Sequence, residues 1–403
     1  MPETTSSPLP FLWGAATSSH QVEGDNHLND WWAWELDHQS SDKQSGHACD
    51  QWNRWKTDCS LIKDLGHNAH RLSLEWSRIE PEDGYFDQAA IEHYRVFLRT
   101  LRTQGIRTIV TLHHFTNPTW LAAQGGWTNS CVVKRYCRYV ERVITDLGSE
   151  IDIVLTINEP GVYAFMSYQA GSWPPQKRNP WQMIRVLWWM ARAHRNAYTI
   201  IKRHFPHLPI GIANNVSTFE AAHPKNWRER LAASFYSAWN NLSFYWLTGL
   251  KSHDVLGLNY YFHRRLDVSG KIWPSFQSPE SSNRSVSDLG WELFPEGLTL
   301  AAKLLGRYKK PILVTEHGLA DADDSRRPKF IQDSLRHLLA AKKDGLPVIG
   351  YLHWSLLDNF EWADGFTPRF GLVEVDYKTQ KRIPRASAWV YKQIIERWSG
   401  QGF

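Results

Sequence analysis

Eight short apolar runs recur along the chain, separated by segments of helical period. The runs are Phe11–Ala16, Ala69–Leu74, Thr108–Leu112, Ile153–Ile157, Ile210–Ala213, Val255–Leu258, Ile312–Thr315 and Val348–Leu352. A short run without polar alternation reads as a strand covered on both faces, and such strands are parallel. The intervening segments are amphipathic. Ala89–Gln104 places Ile91, Tyr94, Phe97, Leu98 and Leu101 on one face, and Gly105 follows as a stop. Phe330–Lys343 repeats the pattern with Ile331, Leu335, Leu338 and Leu339, closed by Gly345. Strand and helix alternating eight times predict an α/β fold, a single (β/α)8 TIM barrel spanning residues 1–403. The polar stretch Ser269–Asp288 reads as a long loop after the sixth strand, at the rim of the barrel mouth.

Composition narrows the class. A chain of 403 residues, 42% hydrophobic and 22% charged, is long enough for one large barrel and too apolar to be disordered. The net charge of +5 comes with only short basic pairs such as Lys309-Lys310, so no nucleic-acid partner is expected. The four cysteines form no C-x-x-C pair, which argues against zinc, and no His/Asp/Glu set stands at metal-ligand spacing. No metal and no cofactor are therefore expected. Residues 1–10 lack the charged and apolar regions of a secretory leader, and the apolar patch Met183–Ala193 is interrupted by Arg185 and Arg192. The expectation is a cytoplasmic protein with no membrane partner; a homo-oligomer is left open. The 22 tryptophans exceed what a core needs, since each buried indole N–H must find an acceptor, and they suit a site that stacks flat sugar faces.

The residues that follow the runs carry the chemistry. The first run leads to His20-Gln21, the second carries Arg71, and the third ends in His113-His114. The fourth ends in Asn158-Glu159, the fifth in Asn214-Asn215 and the sixth in Asn259-Tyr260-Tyr261. The seventh ends in Glu316 and the eighth in His353-Trp354. A barrel gathers all of these at one face. So many polar groups are costly to bury unless they face a ligand or one another. Glu159 and Glu316 lie on opposite sides of that mouth. Hydrolysis of a glycosidic bond uses such a pair, one carboxylic acid to protonate the leaving oxygen and one carboxylate to attack the anomeric carbon.

These residues resemble glycoside hydrolase family 1, the β-glucosidase family. The resemblance rests on Gln21-Val22-Glu23-Gly24, Arg71 with Trp76-Ser77-Arg78, Leu112-His113-His114-Phe115, Thr156-Ile157-Asn158-Glu159-Pro160, Asn259-Tyr260-Tyr261, Val314-Thr315-Glu316-His317-Gly318 and Trp354 through Trp362. It runs in order from about residue 11 to about residue 390. It implies a retaining β-glycosidase that removes terminal non-reducing β-D-glucosyl residues, with β-D-galactosyl and β-D-fucosyl as further substrates, through a covalent glycosyl-enzyme. Its partner is then a small β-glycoside or oligosaccharide.

The roles implied are specific. Glu159 would be the acid/base and Glu316 the nucleophile, and Asn158 would bind the sugar 2-hydroxyl. Arg71 and Tyr261 would hold Glu316 ionised and oriented, with Asn259 helping to orient it. Gln21, His114, Tyr261, Trp354, Glu361, Trp362 and Phe370 would form the sugar pocket, Trp354 as its stacking floor and Glu361 as a charged acceptor. The Glu316 charge would raise the Glu159 pKa, as the acid role requires.

Some positions depart from the family pattern. His317 stands where Asn is usual, Gly161 where a Trp often stacks the leaving group, Thr116-Asn117 for Asp-Leu, and Glu374 for Tyr. Glu361 argues against 6-phospho-sugars and Glu159 against thioglycosides. A transglycosylating member and a non-catalytic sugar-binding barrel are the competing readings. His113 is expected to be structural, and Trp31, Trp32 and Trp34 fit a rim or a packed cluster equally well.

Overall fold

A computed structural model of the chain describes residues 10–268, 275–279 and 283–399. The stretch expected to lack a leader lies outside these residues except for Pro10.

All eight apolar runs form strands: β1 (Leu12–Ala16), β2 (Ala69–Ser73), β3 (Arg107–Thr111), β4 (Ile153–Asn158), β5 (Ile210–Asn215), β6 (Leu256–Tyr260), β7 (Ile312–His317) and β8 (Val348–Trp354). They close into a barrel, each strand hydrogen-bonded to its neighbours in sequence and β1 to β8. The pairing is parallel throughout. The later strands run past their apolar segments because the polar residues at their ends still pair with a neighbour.

Inward-facing Leu12, Ala69, Ile109, Leu155, Leu313 and Leu352 fill the barrel interior. A larger apolar layer lies between strands and helices. The helix Gln88–Thr103 begins at Asp87, whose carboxylate accepts from the Ala89 and Ala90 amides, and it ends before Gly105 at φ +82°. It buries the five predicted residues, each contributing roughly 1.5–3 kcal/mol. The helix Arg327–Lys343 starts three residues before the predicted Phe330, with Pro328 in its first turn.

Two irregularities position the site. In β7, Leu313 faces the interior and Val314 the helix layer. Strict alternation would send Glu316 outward, but the β6–β7 register shifts between Val314 and Glu316, so the parity reverses and Glu316 faces the mouth. In β4, Leu155 is interior, and the β4–β5 register shifts before Asn158, which turns inward in the same way.

The stretch after the sixth strand is more ordered than a plain loop. Ser275–Phe276 pairs with His263–Asp267, which pairs with Thr218–Ala221 in a small sheet beside the barrel. Residues 269–274 and 280–282 of that stretch lie outside the described set. Met183–Ala193 lies within the helix Pro180–His204. Among the described residues, no helix is long and apolar enough to cross a membrane.

Candidate active site

Glu159 directly follows β4 and sits at φ +41°, a left-handed conformation that a non-glycine residue rarely adopts. This turn carries the chain from strand into the short helix Pro160–Phe165. The carboxyl is almost fully buried. Its Oε1 accepts from Asn215 Nδ2 at 3.0 Å and Asn259 Nδ2 at 2.9 Å. With both donors on Oε1, a proton on this group belongs to Oε2. Burial first, and the Glu316 charge second, push the Glu159 pKa up to about 7, against the opposing amide bonds. The Glu316 charge thus contributes as expected, but burial is the larger cause.

Glu316 faces it from β7. Arg71 Nη1 donates to Oε1 at 2.5 Å and Tyr261 Oη to Oε2 at 2.8 Å. Both oxygens therefore accept, as a carboxylate's do. Arg71 is fully buried and fixed by Thr111 Oγ1 at 3.0 Å and the Thr315 carbonyl at 3.2 Å. Its Nη2 donates to Asn158 Oδ1 at 2.8 Å.

Asn259, expected to orient Glu316, is placed otherwise. Its amide donates to Glu159 Oε1 and, at 3.2 Å, to Asn158 Oδ1, while its own carbonyl accepts from Thr315 Oγ1 at 2.6 Å. The two carboxyls are thereby joined by a continuous set of hydrogen bonds, from Glu316 through Arg71, Asn158 and Asn259 to Glu159.

The expected pocket residues gather around this pair. Asn158 Nδ2 donates to His114 Nε2 at 3.2 Å, which leaves the proton of a neutral His114 on Nδ1, an atom with no partner among the described residues. Burial, with the Arg71 charge, holds His114 well below the usual imidazole range. The His114 ring lies parallel to both Trp354 and Trp362, with centroids 6.1 Å from each. Trp354 and Phe370 pack with Tyr261 and Trp291. Gln21 donates to Asn359 Oδ1 at 3.0 Å and the Phe360 carbonyl at 2.7 Å, which ties it to the Glu361 segment. Glu361 accepts from Trp354 Nε1 at 3.3 Å. The charged acceptor expected there meets an opposing cause, since burial raises this carboxyl well above its usual range.

Three contributors were given no role in the sequence reading. Asn215 holds Glu159, and its place at the end of the fifth run was a usable signal. Trp291 reaches the pocket wall from beyond β6, with no sequence signal. His20 supports Trp362 by stacking at 5.8 Å and is anchored on Glu35 at 2.8 Å.

The departures from pattern have local reasons. His317 points to the helix layer, stacks on Phe330 at 4.9 Å and bonds Tyr351 Oη at 2.9 Å. Burial lowers its pKa to about 3, so it is a neutral packing residue. Thr116 donates to Glu75 at 3.1 Å, and Asn117 donates to Asp30 and Tyr163. Glu374 lies in an outer hairpin, half-exposed. A Cβ on Gly161 would meet nothing within 4 Å, so a side chain there would have open space. His113 is structural, bonded to Asn117 and Trp127. Trp31 is packed against Trp34, Trp173 and Trp362 rather than lining the rim.

No metal set was expected, yet His223, Glu229 and Asp267 place ligand atoms within 4.8 Å of one another. The Glu229 oxygens there accept from the His223 and Val268 amides and the Asn226 side chain, the pattern of a helix cap. The four cysteines are unpaired.

A carboxyl protonated near neutrality, opposite a carboxylate held by a guanidinium and a phenol, is equipped for acid-assisted nucleophilic displacement. The comparisons with known proteins give the family. The model of glycosyl hydrolase family 1 matches residues 4–249 and 247–399. β-Glucosidase A of Thermotoga maritima is 31% identical over 440 aligned positions, covering 96% of this chain and 97% of that protein. A β-galactosidase of Pyrococcus woesei is 29% identical over 492 positions, covering 96% of each, so that relative carries insertions. Among solved structures, a β-glycosidase from Pyrococcus horikoshii superposes with a TM-score of 0.86 at 36% identity, covering 98% of this chain and 95% of that one. The T. maritima β-glucosidase in complex with glucoimidazole gives 0.90 at 30% identity, covering 96% and 98%. The chain belongs to glycosyl hydrolase family 1.

Proposed function

We propose that the chain acts as a single catalytic barrel, a retaining β-glycosidase that removes terminal non-reducing β-D-glucosyl residues, and also β-D-galactosyl or β-D-fucosyl residues, by double displacement. The observation that carries this reading is the asymmetry of the carboxyl pair. Glu159 is pushed up to about 7, while Glu316 is fixed by Arg71 and Tyr261. Glu316 attacks the anomeric carbon as Glu159 gives its Oε2 proton to the departing oxygen, and the glycosidic C–O bond breaks. A glycosyl ester then stands on Glu316, and the negative charge that helped raise the Glu159 pKa is gone. Glu159 next takes a proton from water as the water oxygen attacks the same carbon, which frees Glu316.

Asn158 is suited to the sugar 2-hydroxyl. Gln21, His114, Trp354, Glu361, Trp362 and Phe370 surround the ring. The relatives named as β-glucosidase and β-galactosidase support the range of sugars. Four unpaired cysteines suit a cytoplasmic placement. Transfer to an alcohol acceptor instead of water uses the same two carboxyls, and the open space at Gly161 leaves room for an acceptor.

A panel of aryl β-glycosides, run with wild type, Glu316→Ala and Glu159→Ala, tests the reading. Wild type should cleave the glucoside, and both variants should lose activity. No cleavage by wild type, or full activity in Glu316→Ala, contradicts it. Product analysis with added alcohol separates hydrolysis from transfer.

A further inference from the structure

Two neighbouring helices on the outside of the barrel, Pro180–His204 and Trp227–Thr248, pack side by side and turn large apolar side chains to solvent. The first exposes Trp181, Ile184 and Trp188, and Trp181 is 79% exposed. At about 100° per residue these three share an arc of roughly 60°. The second helix exposes Trp227, Leu231, Phe235, Trp239 and Trp246, and Trp227 is 64% exposed. These five fall within an arc of about 120°. Exposed apolar residues scattered singly need no explanation, but two adjacent helical faces this rich in indole do.

The stretch that carries them is predominantly basic. Residues 160–253 hold eleven Lys and Arg against two acids, a net +9 in a chain whose total is +5, so the remainder carries −4. Of the two acids, Glu229 is buried under its helix start and Glu220 is paired with Arg265. Arg185 and Arg192 project from the same arc as Trp181 and Trp188, and Arg228 from the arc of Phe235 and Trp246. Among the described residues, no ion pair involves any of these three arginines.

We propose that this face binds the surface of an anionic lipid bilayer, with the indoles at headgroup depth and the arginines on the phosphates. Trp is the side chain that settles at the membrane–water interface, and arginine beside it adds attraction to anionic lipid. A second copy of the chain seated on the same face would oppose arginine to arginine, which disfavours self-association there. No spanning helix is needed for such peripheral binding.

The test is flotation of the whole protein with large unilamellar vesicles of phosphatidylcholine alone or of phosphatidylcholine with phosphatidylglycerol, at low and high salt. Wild type should float with the anionic vesicles at low salt and be released by high salt. Two sets of substitutions probe the face, Trp181→Ser with Trp188→Ser, Trp227→Ser and Trp239→Ser, and Arg185→Glu with Arg192→Glu and Arg228→Glu. Each set should lower the bound fraction at least about tenfold, given roughly fivefold per basic side chain at such a surface. Turnover of a soluble aryl β-glucoside should stay within about twofold of wild type, which shows that the variants are folded; if a set fails to fold, the wild-type salt dependence and the single variants Trp188→Ser and Trp239→Ser decide. Wild type that does not float with anionic vesicles overturns the proposal. So does equal flotation with both lipids, binding insensitive to either set, or a wild-type dimer that the tryptophan set dissociates while no vesicle is bound.

Discussion

Arg71 and Glu316 meet through a 2.5 Å hydrogen bond from Nη1 to Oε1, and the same guanidinium donates from Nη2 to Asn158 Oδ1 at 2.8 Å. One buried cation on β2 thus fixes the spacing of a carboxylate on β7 and an amide on β4. A lysine offers a point charge in place of this fork. Arg71→Lys is expected to lower kcat/KM at least about 10²-fold, the scale of losing charge-assisted hydrogen bonds of about 1.5–3 kcal/mol each. Arg71→Met leaves Glu316 buried without its cation and should cost about 3–5 kcal/mol of stability, read by urea unfolding.

The Glu159 carboxyl is pushed up to about 7, and glycosylation needs its proton. A pH profile of kcat/KM on an aryl glucoside with a poor leaving group should therefore fall on the alkaline side of about pH 7. A 2,4-dinitrophenyl glucoside leaves without that proton, so its profile should lose this limb. Glu159→Ala should show the same contrast, losing about 10²–10⁴-fold with the poor leaving group and far less with the good one.

Asn215 donates to Glu159 Oε1 at 3.0 Å, a bond that favours the ionised form. Asn215→Leu removes it, so the Glu159 pKa rises and the alkaline limb should move to higher pH. An unmoved limb would show that Asn215 does not tune the acid.

Tyr261 donates to Glu316 Oε2 at 2.8 Å. Tyr261→Phe keeps the ring packed against Phe370 and Trp291 and removes only this hydrogen bond. The loss of about 1.5–3 kcal/mol should appear as roughly 10–150-fold in kcat/KM, with little change in melting temperature.

Gly161 has open space where a side chain would project. Gly161→Trp should fold and supply a face for an aryl leaving group. A stacking gain of about 0.5–1.5 kcal/mol predicts a KM roughly 2–12-fold lower for aryl glucosides. An unchanged KM across several aryl groups would place the leaving group elsewhere.

Much of this was legible in the sequence. The eight strands announce themselves as apolar runs because parallel strands are covered on both faces. Glu159, Glu316, Arg71 and Asn158 were readable because they stand on those strands or directly after them. What the sequence hides is parity. Alternation from Leu313 turns Glu316 away from the mouth, and only the register shift before it restores the direction. Asn259 pairs with Glu316 across the β6–β7 ladder, yet its side-chain amide reaches Glu159, a choice that strand order does not reveal. Trp291 arrives through a tertiary path with no periodic signal. His317 is adjacent to the nucleophile in sequence, but it faces the opposite side of the strand, against Phe330.

The proposed mechanism puts the glycosyl ester on Glu316. A 2-deoxy-2-fluoro-β-glucoside with a dinitrophenyl leaving group slows hydrolysis of that ester enough to weigh it. The labelled protein should gain the mass of one deoxyfluoroglucosyl group, carried by the peptide that contains Glu316. Label on Glu159, or continued turnover with no label on any peptide, would contradict a nucleophilic Glu316.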